Sequence, residues 1–218
     1  MYKTALLCIG PALMIFIGLH LFHSVPVTFM LFYGWLLLIP VISYIQNKKK
    51  PHIFKKYSLS WKVIMIGLIS GIICLFTIYG LASILLNTIF DLVILRQLLE
   101  DWGFNGSYIL GLIFVLIFIN PVLEELYWRE FMHQRLIVEI GPFPTIFMTS
   151  FFYSLYHLLS LMPMFNWPFN LIAVLPVFIA GFLWGYFRYK LKSIAASIIC
   201  HTLADSGIVL VYLSYIME

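Results

Sequence analysis

Charge is what this sequence has least of: thirteen Lys and Arg and nine Asp and Glu make up 10% of 218 residues, against roughly 25% in an ordinary soluble domain. With 63% hydrophobic residues and a mean hydropathy of +1.02, that scarcity excludes a soluble globular domain. The net charge of +4 comes without a basic surface interleaved with aromatics, so nucleic acid is not an expected partner. Cysteine is nearly as scarce. Cys8, Cys74 and Cys200 are odd in number and lack CxxC or metal-type spacing, which excludes a disulfide framework and a structural zinc cluster and leaves them as small buried apolar residues. Several motifs are absent: H-E-x-x-H of common zinc peptidases, G-x-S-x-G of serine hydrolases and G-x-G-D of intramembrane aspartyl proteases. No small-x-small cleavage site follows the first apolar run, so residues 4–22 read as a span rather than a cleaved leader. The last five residues carry no CaaX cysteine, so the chain is not expected to be a prenylation substrate. Internal repeats, low-complexity tracts and soluble linkers are also missing.

What the sequence does have is long apolar runs near or above the ~18 residues that cross a bilayer as helix, too long for the alternating segments of a barrel. The expectation is an all-α, polytopic transmembrane helical bundle of about seven spans, six to eight, forming one integral membrane domain over residues 1–218. Lys48, Lys49, Lys50, Lys55, Lys56 and Lys62 gather between the second and third runs, and Arg188, Lys190 and Lys192 before the last. The positive-inside rule places both groups, and the N-terminus, in the cytoplasm. Residues 87–106 alternate Ile89, Leu92, Val93, Leu95, Leu98 and Leu99 with Asp91, Arg96, Glu100 and Asp101, which predicts an amphipathic interfacial helix, a connector or alternatively a lid. Gly67 and Gly71, and Gly181 and Gly185, have the spacing that lets helices approach closely. The sixth run, residues 169–187, holds no ionisable residue and reads as scaffold. Trp35, Trp61, Trp102, Trp167 and Trp184 read as an interfacial belt, and His20, His23, His52 and His133 as interfacial or solvated.

Against this background the few charges at depth stand out. Glu124-Glu125-Leu126-Tyr127-Trp128-Arg129 ends the apolar run 109–123, and an ionised side chain in hydrocarbon costs at least ~2.5 kcal/mol, so such residues face the protein interior or a wet cavity. On a helix Glu125 and Arg129 are one turn apart and can pair, whereas Glu124 points about 100° away and needs a distant partner. The helix is expected to run on to about Glu139, which puts Glu124 about 20 Å above its inner end. Tyr153 and His157 lie one turn apart on the next run, and His201 and Asp205 one turn apart on the last. Three antiparallel helices thereby bring Glu124, His157 and His201 to comparable depths. A carboxylate there can take a proton from water, and a histidine can orient that water or donate to an oxyanion. The same three residues can also be read as zinc ligands with an open water position. Buried ionisable groups serve transporters and proton relays too, and that reading stays open. Tyr127 and Trp128 either line a substrate path or pack in the core.

Together E-E-x-x-x-R, [FY]-x-x-x-H and H-x-x-x-[DN], each inside an apolar run, resemble the CPBP (CaaX protease and bacteriocin-processing, Abi) family of intramembrane proteases, related to the type II CaaX prenyl endopeptidase. The resemblance covers residues 107–211. It implies an endopeptidase acting on a membrane-associated peptide or protein, with Glu124 and His157 activating water, His201 and Asp205 stabilising the oxyanion, and Glu125, Arg129 and Tyr153 in support. The working expectation is a cofactor-free glutamate mechanism, with Zn2+ on Glu124, His157 and His201 as the alternative. Tyr153 stands where the family usually has Phe, and Asp205 where the prenyl-endopeptidase branch has Asn. An ionised Asp205 would repel an oxyanion, which suits it better to holding His201. The implied setting is lipid, in a bacterial plasma membrane, with bacteriocins, pheromones or other membrane-anchored chains as substrates; in a eukaryote the resemblance implies prenylated CaaX proteins at the endoplasmic reticulum. The alternative on this scaffold is a catalytically silent immunity or regulatory protein.

Overall fold

The computed structural model describes residues 2–46, 59–89, 92–104 and 106–217. Among them there are helices and no strand. The fold is an all-α bundle of eight helices. Helix α1 (Tyr2–Ile15) runs on through a widened π turn, Phe16–Leu21. Then come α2 (Val25–Gln46), α3 (Trp61–Ile89), α4 (Leu92–Asp101), α5 (Ile109–Ile140), α6 (Pro142–Leu161), α7 (Phe169–Leu191) and α8 (Ala195–Val211), the last prolonged by the π turn Tyr212–Ile216. Six of these, α1, α2, α3, α5, α7 and α8, are long and apolar enough to cross a membrane. The chain is therefore an integral membrane protein. Helix α6 has the length of a span but carries Thr145, Thr149, Ser150 and Ser154, all buried, and packs inside the bundle against α1 and α7.

Burial is inverted relative to a soluble protein. Large apolar side chains such as Met30, Leu38, Ile73, Phe76, Leu110 and Ile179 are exposed around the outside, where lipid solvates them. The buried polar and charged residues concentrate on α5, α6 and α8. Lys48, Lys49, Lys50, His52, Lys55, Lys56 and Asp91 lie outside the described residues.

Small residues set the helix spacing, as their period predicts. A Cβ on Gly67 would stand 2.9 Å from the Ala196 carbonyl oxygen, and one on Gly71 2.6 Å from Leu203, so α3 lies directly against α8. That approach brings Cys74 Sγ within 4.0 Å of Cys200 Sγ. Gly181 and Gly185 do the same for α7, against Tyr153 and Ile146 of α6. Helix α4 ends on Trp102, whose carbonyl oxygen accepts from the Val25 amide at 2.8 Å, and Phe104 then packs edge-on to Tyr212. These contacts tie the residues after α4 to α2 and to the π turn that prolongs α8.

The continuous helix to the end of the fourth run is present, but it is not uniform. Pro121 has no amide hydrogen to give, and its ring would clash with the preceding turn. The helix widens into a π turn at Val115–Ile119 just before it, and again at Leu126–Met132. The α-helical turn between the two, Asn120–Glu125, carries both carboxylates. Gly141, at φ +79°, breaks the chain between α5 and α6.

Candidate functional site

The Asn120–Glu125 turn of α5 aims its carboxylates at α8. Glu124 Oε2 stands 3.6 Å from His201 Nε2, and Glu125 Oε1 stands 3.3 Å from His201 Nδ1. One imidazole therefore bridges two adjacent glutamates that a regular helix would point about 100° apart. Asp205, a turn beyond His201, places Oδ1 3.5 Å from the same Nε2. Tyr153 of α6 brings its hydroxyl to 3.4 Å of it. Glu124, Glu125 and His201 are all within 2% of full burial. Among the described residues Glu124 Oε2 has no protein hydrogen-bond partner.

Arg129 holds the other side of Glu125. Its Nε lies 3.5 Å from Glu125 Oε2, Nη2 donates to the Gly181 carbonyl oxygen at 3.0 Å, and its guanidinium sits over the Tyr153 ring at 4.8 Å. Arg129 is completely buried, so the pair is shielded from solvent screening. The expected one-turn pairing is thus present, with α6 and α7 closing around it.

His157 lies one turn beyond Tyr153 on α6. Its Nδ1 donates to the Tyr153 carbonyl oxygen at 2.9 Å, and its ring packs on Tyr153 and Tyr156 at 4.6 and 4.5 Å. Among the described residues no carboxylate lies within ion-pair distance of it, so Glu124's direct partner is His201 rather than His157. The Nδ1 bond leaves His157 Nε2 as the nitrogen open to a water or substrate. Among the described residues no three His, Cys, Asp or Glu side chains are grouped to hold a metal ion.

Two residues outside the motifs reach the site, Trp184 and Asn120. Trp184 of α7, expected in the interfacial belt, is 2% exposed and stacks on His201 with ring centroids 4.0 Å apart. It lies three residues after Gly181 on a helix with small residues on one side, and that spacing was the available signal of an inward face. The sixth run is therefore more than scaffold. Asn120, four residues before Glu124, donates through Nδ2 to Asp205 Oδ2 at 3.1 Å. Glu130 is buried and pairs with Arg188 Nε at 3.1 Å, and also accepts from Gln134. His133, expected to be solvated, is 3% exposed. Trp102 is likewise buried at 4%, whereas Trp61 and Trp167 are exposed as a belt requires. Tyr127 and Trp128 are core residues: Trp35 Nε1 donates to the Tyr127 hydroxyl, which donates to the Leu7 carbonyl oxygen at 2.6 Å. A separate cleft of about 290 Å³ lies between α4 and the end of α8, lined by Arg96, Leu99, Phe104 and Tyr212, and no motif residue reaches it.

Residues 106–207 match the family model described as type II CAAX prenyl endopeptidase, Rce1-like. No curated protein and no solved structure matches the chain.

Proposed function

We propose that this chain, whose residues 106–207 match the Rce1-like type II CAAX prenyl endopeptidase family model, is an intramembrane endopeptidase that hydrolyses a peptide bond in a membrane-associated peptide or protein by activated water. The observation that carries this reading is Glu124. It is buried and lies beside an imidazole that two further carboxylates hold in place.

Glu124 takes a proton from water as the water oxygen bonds to the scissile carbonyl carbon. His157 Nε2, fixed outward by the Nδ1 bond to Tyr153, orients that water. His201 faces carboxylate oxygens through both nitrogens, and as an imidazolium it stabilises the oxyanion of the tetrahedral intermediate by its positive charge. Glu124 then gives its proton to the departing amine nitrogen as the C–N bond breaks, and the acid and the amine are released. Glu125, braced by Arg129, fixes the imidazole plane from the Nδ1 side, and Trp184 supports its face. Asp205 acts through His201 rather than on the oxyanion. No covalent intermediate is formed and no bound group is needed to balance the step. The substrate is a chain delivered by the membrane, a lipid-anchored peptide or the juxtamembrane part of a small protein.

The test is cleavage of a quenched-fluorescent peptide library, including lipid-anchored members, by purified wild type and Glu124→Ala in vesicles, with and without chelator. Cleavage abolished in Glu124→Ala and retained under chelation is the expected result. Loss on chelation with recovery on added zinc would replace the glutamate mechanism by a metal-dependent one, and equal cleavage by the variant would overturn the role of Glu124.

A further inference from the structure

Asn120 is a buried side chain outside the three motifs that reaches one of their carboxylates. It shares a helix face with Glu124, one turn away, and reaches across to α8. Its target, Asp205, has two oxygens with different tasks. Oδ2 accepts from Asn120 at 3.1 Å, and Oδ1 stands 3.5 Å from His201 Nε2. Nε2 also faces Glu124 at 3.6 Å, so two carboxylates compete for one nitrogen.

The terminal torsion of an aspartate is broad and two-fold, and nothing within the side chain fixes which oxygen faces the imidazole. A donor on one oxygen settles it. An amide can supply that donor, whereas a carboxylate at position 120 is an acceptor only and would repel Asp205. The position of Asn120 is itself set by the helix: the widened turn Val115–Ile119 ends immediately before it and Pro121 follows it.

We infer that Asn120 is a positioning residue that pins Asp205 by one oxygen, commits the other to His201 Nε2, and so leaves Glu124 as the carboxylate available to water. This rests on the proteolytic reading for its catalytic consequence, but the hydrogen-bonded arrangement stands apart from it. The pair requires one amide and one carboxylate, and either residue can supply either. Exchanging them keeps an oxygen of residue 205 toward His201 and a hydrogen bond between 120 and 205.

The experiment is a double-mutant cycle of Asn120→Asp, Asp205→Asn and the exchanged double variant, in full-length protein in vesicles. It uses a peptide that wild type cleaves, with Glu124→Ala as the inactive control. The second readout, independent of turnover, is the His201 Nε2 resonance in 15N-histidine-labelled protein, assigned with His201→Gln. Asn120→Asp is expected to lower kcat about 10–100-fold, the size found when a group orienting an active histidine is lost. KM stays within about two-fold, the His201 resonance shifts, and the double variant restores most of both. An Asn120→Asp protein with unchanged kcat and resonance, or a double variant no better than Asn120→Asp, overturns the inference. If wild type cleaves nothing, the proteolytic reading fails and the resonance decides. A shift in Asn120→Asp that reverts in the double variant upholds the positioning role, and an unmoved resonance removes it.

Discussion

Replacing Arg129 with Met tests the electrostatic brace of the site. The guanidinium is fully buried, 3.5 Å from Glu125 Oε2, hydrogen-bonded to the Gly181 carbonyl oxygen and stacked over Tyr153. Methionine fills much of the same volume without the charge, so the loss is mainly that of the cation. Glu125 is then a carboxylate at zero exposure that keeps His201 and Ser197 as partners but no cation on the Arg129 side. Removing one partner of a buried pair costs about 3–5 kcal/mol, and the lost charged hydrogen bond to Gly181 belongs within that figure rather than on top of it. For a chain of this length about 2–4 °C per kcal/mol gives a midpoint lower by about 6–20 °C. Removing both charges, with Glu125→Gln and Arg129→Met together, takes away the stranded carboxylate. The double variant is therefore expected to recover at least half of the loss, because a buried ion pair is nearly neutral against an uncharged replacement. The assay is thermal unfolding in detergent micelles followed by tryptophan fluorescence, with size exclusion to confirm dispersity. An Arg129→Met protein within about 0.5 kcal/mol of wild type, or a double variant less stable than the single, would refute the argument that this pair is electrostatically closed.

Helix spacing gives a prediction with opposite signs at two glycines: Gly67→Ala drives a Cβ to 2.9 Å from the Ala196 carbonyl oxygen and should destabilise by about 1–3 kcal/mol, whereas Gly34→Ala meets nothing within 4 Å and should stabilise by about 0.5–1 kcal/mol, both read by the same thermal assay. Trp184→Ala removes the ring stacked on His201 and should cost about 3–5 kcal/mol and most of the cleavage rate, while Trp184→Phe keeps the stack and most of the rate. Equal rates for the two variants would show that the stack does not position His201. The 4.0 Å approach of Cys74 and Cys200 predicts that mild oxidation with copper phenanthroline links α3 to α8. A protease site introduced into the 162–168 turn between α6 and α7 puts the two cysteines on different fragments, which should stay joined on a non-reducing gel and separate in Cys74→Ser.

The carboxylates were legible in the sequence because hydrocarbon makes them conspicuous: Glu124, Glu125 and Arg129 lie where a charge is costly, and one-turn spacing was enough to pair Glu125 with Arg129. The same logic gave the Gly67 and Gly71 contact face and the run of α5 to its end at Ile140. It failed at Trp184, His133 and Trp102, where residue type suggests an interface and only packing decides the side. Composition and periodicity, then, determined by themselves that this chain is an α-helical membrane protein with its polar residues turned inward, because lipid tolerates neither unpaired backbone nor unpaired charge. What only the tertiary structure decided is which groups meet: that His201, rather than His157, takes Glu124, that one imidazole bridges both glutamates, and that Asn120 and Trp184 hold the ensemble. Those contacts depend on the angle at which α5, α6, α7 and α8 cross and on the two widened turns in α5, which shift the side chains after them around the helix axis in a way that no one-dimensional spacing encodes.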